Sequence, residues 1–107
     1  ASPANGIAFR LKLLLAAGLA PHLSACASCG EAEHLAGFSG AAGGVVCPAC
    51  ESGSFRLDAG GHAFLVGALG QPLAETPEAD AGALRQADRA VRETAEHHAG
   101  VRLSALQ

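Results

Sequence analysis

A small, mostly helical domain interrupted by a four-cysteine ribbon is the fold that these 107 residues predict. Three observations lead there. Half of the residues are hydrophobic, yet most of that share is alanine and leucine, with four Phe and no Trp, Tyr or Met. Alanine and leucine favour helix, and the scarcity of β-branched and aromatic residues argues against a large sheet. Between about residues 22 and 54 the pattern changes: all four cysteines fall there, glycine recurs, and no helical period remains.

The first helix is expected from about Asn5 to Ala17, rich in Leu and Ala. Gly18 suits the residue just past its end, and Pro21 prevents continuation. Within the ribbon, Leu35–Ser39 and Gly44–Val46 flank a Gly-rich turn and predict a small hairpin. The second helix is expected from a cap at Asp58 to Gly70, with Pro72 following. Gly60, Gly61 and Gly67 weaken it, so it must rely on tertiary packing. The longest helix is expected to start at Thr76-Pro77-Glu78 and to end near Ala99, at Gly100. Leu84, Ala87, Val91 and Ala95 should form its inward stripe. The chain thus divides into a helix at 1–21, a ribbon at 22–54 and the remaining helices of the same domain at 55–107.

A chain of this length makes one small domain with a modest core. With no Met, it is not expected to begin at a translation start, and further sequence upstream is expected. The formal charge is −3. An acidic unit is repelled by phosphate, so bulk electrostatics do not favour nucleic-acid binding by this region alone. No apolar run approaches the roughly 18 residues of a membrane span.

The cysteines follow the pattern Cys26-x2-Cys29, then 17 residues, then Cys47-x2-Cys50. Each CxxC can fold into a tight knuckle with both sulfurs inward. Two knuckles joined by a hairpin supply tetrahedral S4 ligation, which suits one structural zinc. Gly30 offers the left-handed residue after the first pair, and Pro48 stiffens the second. Four thiolates around a dication would take the net charge to about −5. Two disulfides are a weaker reading, because paired CxxC units are the signature of metal sites. Rubredoxin-like iron is a sharper rival, since iron also accepts four thiolates; the lack of Tyr and Trp argues against it.

Leu23-Ser24-Ala25-Cys26 also ends like a lipoprotein signal. That reading fails because Pro21-His22 interrupts the apolar stretch and little positive charge precedes Arg10. Lipidating Cys26 would also orphan Cys29. The expected fold is therefore mostly α, a small helical domain with an inserted four-cysteine zinc ribbon.

Residues around the cysteines carry a family resemblance. Phe9, Leu11, Leu13, Leu14, Gly18 and Pro21 lead into Cys26-x-x-Cys29-Gly30; Phe38-Ser39 and Gly43-Gly44 then precede Cys47-Pro48-x-Cys50. This arrangement resembles the C-terminal part of the recombination mediator RecO, as does the closing Glu96 to Leu106 with its His97-His98 and Gly100. The resemblance covers nearly the whole chain, without the OB-fold with which RecO proteins begin. One departure is Ser104-Ala105 after Leu103, where the family usually carries Lys-Ser.

The resemblance implies a part in DNA repair and homologous recombination: strand annealing, recombinase loading with RecR, and binding of the acidic, apolar tail of single-strand-binding protein (SSB). It implies a bacterial, cytoplasmic, nucleoid-associated protein that contacts DNA mainly through the OB-fold. A stand-alone zinc-ribbon adaptor is the other reading of the same cysteines.

Tail binding needs cations beside an apolar groove. Arg85, Arg89 and Arg92 form a stripe on the last helix, and Arg102 is expected past its end, where fewer local acids oppose it. The bland reading of that stripe is a solvated face paired with Asp88, Glu93 and Glu96. His97 and His98 project about 100° apart on a helix and cannot chelate one ion together. His22 and His34 border the ribbon as spectators or hydrogen-bond donors. No nucleophile elbow, P-loop or dinucleotide fingerprint occurs, so a non-enzyme is expected.

Overall fold

The structure, a computed structural model, describes the backbone of residues 3–106 and the side chains of residues 3–97. Three α-helices dominate: α1 (Pro3–Ala16), α2 (Ala59–Gly70) and α3 (Ala81–Leu106). Between α1 and α2 lies a three-stranded antiparallel sheet of order β2-β1-β3, formed by β1 (Gly37–Ser39), β2 (Gly44–Val46) and β3 (Phe55–Arg56).

α1 stops where its sequence requires. Gly18 takes φ +78°, and Leu19 and Gly18 donate back to the carbonyls of Leu14 and Leu15 at 2.8 and 3.0 Å. These two bonds satisfy carbonyls that the helix end would otherwise orphan. The predicted hairpin is present in the register Phe38↔Val45, with its first strand two residues shorter than expected. β3 is an addition to the expected elements. Two residues are too short for a legible alternation, yet Phe55 pairs with Phe38 across β1, and their rings lie 5.7 Å apart.

α2 is capped by Asp58, whose carboxylate accepts from the Gly61 N–H at 2.9 Å. Gln86 of α3 braces the same cap, accepting from the Asp58 N–H and donating to its carboxylate. The weakening glycines have a packing reason: a Cβ at Gly67 would sit 2.9 Å from the Pro77 ring, and one at Gly61 would meet Gln86 and Leu57.

Both ends of α3 differ from expectation. Thr76 does not cap it; its hydroxyl donates to the Leu73 carbonyl, closing a single 3-10 turn at Leu73–Glu75. Asp80 caps instead, accepting from Ala83 N–H at 2.8 Å. Nor does Gly100 end the helix, which runs on to Leu106. One glycine costs a helix only about 1 kcal/mol, too little to stop a long one. The buried stripe of α3 runs through Ala83, Ala87, Ala90, Val91 and Thr94, while Ala95 is exposed.

The helices and the sheet share one apolar core that joins Leu11, Leu23, Phe38, Val45, Phe64, Leu65 and Val91. A smaller cluster of Cys26, Val46 and Cys47 lies beneath the cysteine knuckles. The sheet meets α3 closely: a Cβ at Gly40 would come within 2.8 Å of the Glu93 carbonyl oxygen. Beside that contact the Arg89 guanidinium lies 4.4 Å over the Phe55 ring. The principal extents are 37 × 34 × 20 Å, a flat body two layers thick.

Candidate metal centre and a cationic groove

The two knuckles are built by backbone hydrogen bonds. At the first, Gly30 N–H donates to the Cys26 carbonyl at 2.9 Å, with Gly30 at φ +86°. Cys26 N–H donates to the Glu31 carbonyl at 2.8 Å, and Ala27 N–H donates to Val45 of the hairpin at the same distance. Just upstream, the His62 ring of α2 hydrogen-bonds the Leu23 carbonyl at 2.6 Å through Nε2, fixing the chain entering the knuckle. At the second knuckle, Cys47 leaves β2, Pro48 opens a 3-10 turn, and Cys50 N–H donates to the Cys47 carbonyl at 3.0 Å.

This brings the sulfurs of Cys26, Cys29, Cys47 and Cys50 together, all within 4.8 Å of one another. Cys29 and Cys47 Sγ are 3.7 Å apart. A disulfide needs about 2.05 Å. A tetrahedral ion with metal–sulfur bonds near 2.3 Å needs sulfurs about 3.8 Å apart. The donor set therefore fits a tetrahedral metal ion. Cys26 and Cys47 are buried, Cys50 is half-buried and Cys29 is exposed.

The electrostatics suit the same occupant. Burial pushes the Cys26 thiol up, but N–H groups of Cys29, Cys47 and Ser28 outweigh it and bring the group down to about 6. The neighbouring sulfurs Cys29 and Cys47 do the opposite to Cys50, pushing it up to about 12. Glu31 N–H pulls Cys29 down, yet the sulfurs of Cys47 and Cys26 raise it overall. One thiolate forms readily and others resist forming beside it; a dication among them removes that resistance. Neither His22 nor His34 joins the sulfur cluster. His22 instead uses its backbone, exchanging hydrogen bonds with Gly43 and Val45, and His34 is exposed.

The predicted arginines fall on a separate feature, a groove of about 640 Å³ between α1 and α3. Arg85, Arg89 and Arg92 line it, with Ile7 and Leu84 supplying apolar surface. A second stretch, lined by Leu13, Leu14, Val91 and Ala95, shares Arg10 and Arg92 with it. Much of the charge is already paired. Arg92 donates to Asp88 at 3.0 Å and Arg89 to Glu93 at 2.7 Å. Arg10 binds Asp88 from α1 and holds its carboxyl below the ordinary range, with help from Arg92. Arg85 has no ion-pair partner among the described residues. Sequence reasoning missed Arg10; nothing local separates it from Lys12 two residues on, and its place in the groove depends on α1 lying beside α3. The Arg102 side chain lies outside the described residues.

The whole chain, residues 1–107, matches the family model described as recombination protein O C terminal. It is 41% identical over 112 residues to the DNA repair protein RecO of Anaeromyxobacter dehalogenans strain 2CP-C, covering 96% of this chain and 43% of that protein. The RecO of Anaeromyxobacter sp. strain K is 40% identical with the same coverage. That of strain Fw109-5 is 35% identical over 98% of this chain and 44% of its own length. The chain thus spans less than half the length of the curated relatives it matches. No solved structure gives a significant match. With a family match from end to end, and relatives that align across nearly all of it, the chain belongs to the RecO C-terminal family.

Proposed function

We propose that this chain is a non-catalytic, zinc-binding interaction module of a RecO-type DNA repair protein. One structural zinc, held by Cys26, Cys29, Cys47 and Cys50, fixes the ribbon against the helices. The observation that carries this reading is the cluster of four sulfurs, all within 4.8 Å of one another and one pair 3.7 Å apart. Four protein ligands close the shell of such an ion and leave no position for water or substrate, so its work is structural. Native mass spectrometry tests it: one zinc per chain and no lipid or disulfide mass are expected. One iron, with visible absorption, would move the assignment to a rubredoxin-like electron carrier.

The second part of the proposal is that the α1–α3 groove takes the acidic, apolar C-terminal tail of SSB. Its apolar floor beside Arg10, Arg85, Arg89 and Arg92 has the chemistry for an anion carried on hydrophobic residues. Arg85, which has no ion-pair partner among the described residues, is the first contact for a carboxylate. Arg85→Glu should weaken an SSB tail peptide about tenfold or more, whereas Arg89→Glu also strips Phe55 of its cation. Equal affinity of Arg85→Glu and the parent would remove the groove from consideration. Arg102→Glu is expected to act in the same direction. RecR and DNA are partners of the complete protein in this reading, with DNA met mainly through an OB-fold. The setting is the bacterial cytoplasm, around the nucleoid.

A further inference from the structure

The four sulfur-bearing residues do not meet the solvent equally. Cys26 and Cys47 are buried, at 4% and 5% exposure, and Cys50 is half-buried, while Cys29 is exposed. Attack on a dissolved oxidant follows thiolate character and access. A dication among the four holds every one of them as a thiolate, so access separates them, and it favours Cys29.

The sulfur within reach of Cys29 belongs to the other knuckle. Cys47 Sγ lies 3.7 Å from Cys29 Sγ, although the two residues are 18 positions apart in the chain. Closing that pair to a disulfide of about 2.05 Å takes a shift of less than about 2 Å. Cys29, on the solvent side, has room to make it. Cys47 stays in place, packed with Cys26 and Val46 where β2 gives way to the 3-10 turn.

We propose that Cys29 is an oxidation site for hydroperoxides and that Cys47 is its resolving partner, so that oxidation joins the two knuckles and releases the ion. The Cys29 thiolate attacks one oxygen of the peroxide and gives it two electrons. The O–O bond breaks, the departing oxygen takes a proton from water, and Cys29 is left as a sulfenic acid. The Cys47 sulfur then attacks the Cys29 sulfur: the S–S bond forms, the S–O bond breaks, and hydroxide leaves. Cys26 and Cys50 remain as two ligands of a four-ligand site, too few to keep the ion. The cross-link holds the knuckles side by side, so a thiol reductant followed by zinc should restore the centre. Release of the ion rests on the zinc reading proposed above, whereas the choice of sulfurs rests on their placement alone.

The test treats the zinc-loaded chain with hydrogen peroxide beside a chromogenic zinc chelator, then alkylates the remaining thiols and cleaves after glutamate. Glu31 and Glu33 lie between the two CxxC pairs. A bond between knuckles therefore links two peptides, a bond within a knuckle does not, and fragmentation mass spectrometry shows which cysteines were alkylated. The Cys29–Cys47 link should exceed any other pairing about fivefold or more and appear as zinc is released. Dimedone, a sulfenic-acid trap, should label Cys29 before the other three. Bonds within the knuckles, first labelling at another cysteine, or a chain that keeps its thiols and its zinc under peroxide would each overturn the proposal. A chain that never holds zinc and still forms the Cys29–Cys47 link would remove the zinc reading and uphold the oxidation site by itself.

Discussion

Cys29 is the exposed member of the sulfur cluster, and yet its substitution should be costly. Its partners are already held by backbone bonds that do not depend on it: Cys26 through Glu31, and Cys50 through Cys47. Removing one sulfur therefore leaves three thiols gathered at one point, with an incomplete shell and no compensating ligand. Cys29→Ser should reduce bound metal from one per chain to a small fraction and lower the melting temperature. Native mass spectrometry and a thermal melt read both; a native-like melt without metal would show that the ion does not support the fold. Asp88 is a gentler case. Its folded pKa is depressed, first by Arg10, so its contribution is present above the unfolded carboxylate value of about 3.9 and lost as pH falls through the lower folded one. Both partners are partly exposed, which limits the pair to under about 1 kcal/mol. Asp88→Asn should therefore lower the urea midpoint at about pH 7, and the difference from the parent should shrink towards zero near about pH 2.

At the scale of elements, the packing of sheet on helix makes a sharper demand. Gly40 lies against the α3 backbone at Glu93, which cannot swing aside as a side chain can. Gly40→Ala should cost about 1–3 kcal/mol, the range for an overpacked contact, and denaturant unfolding measures it. Nothing local in the sequence marks Gly40, because the neighbour it accommodates is far along the chain, on another element. The same reasoning separates what could be read in advance from what could not. The cysteine spacing, the Gly18 stop and the Asp58 cap act within a few residues, and each is found where local chemistry places it. The start of α3 was misplaced because Thr76-Pro77-Glu78 has the chemistry of a helix opening, yet the Thr76 hydroxyl is spent on the Leu73 carbonyl. Pro77 is occupied against Gly67, so the tertiary contact chose Asp80. β3 could not be read because two residues have no period; its existence depends on Phe38 offering a ring to Phe55. The arginine stripe was legible as a row of cations, but the pairing of Arg10 with Asp88 across the groove required α1 to be placed first.

Across the whole molecule, the ribbon is not an independent body hung on the helices. Phe38, Val45 and Phe55 belong to the same core as Leu11 and Phe64, whereas Cys26, Val46 and Cys47 form a small cluster apart. Loss of the ion should therefore propagate unevenly. After chelation, hydrogen exchange should speed up at Gly30 and Cys50, whose N–H bonds close the knuckles, while the α2 amides of Leu65 and Ala68 stay protected. Uniform loss of protection would mean that the two regions unfold as one unit. The flatness of the body also matters for charge. Its short dimension of 20 Å is more than twice the screening length of about 8 Å at physiological ionic strength. Ions gathered on one broad side are consequently almost invisible from the other, so each side can acquire its own sign of potential and respond to salt as if it belonged to a separate molecule.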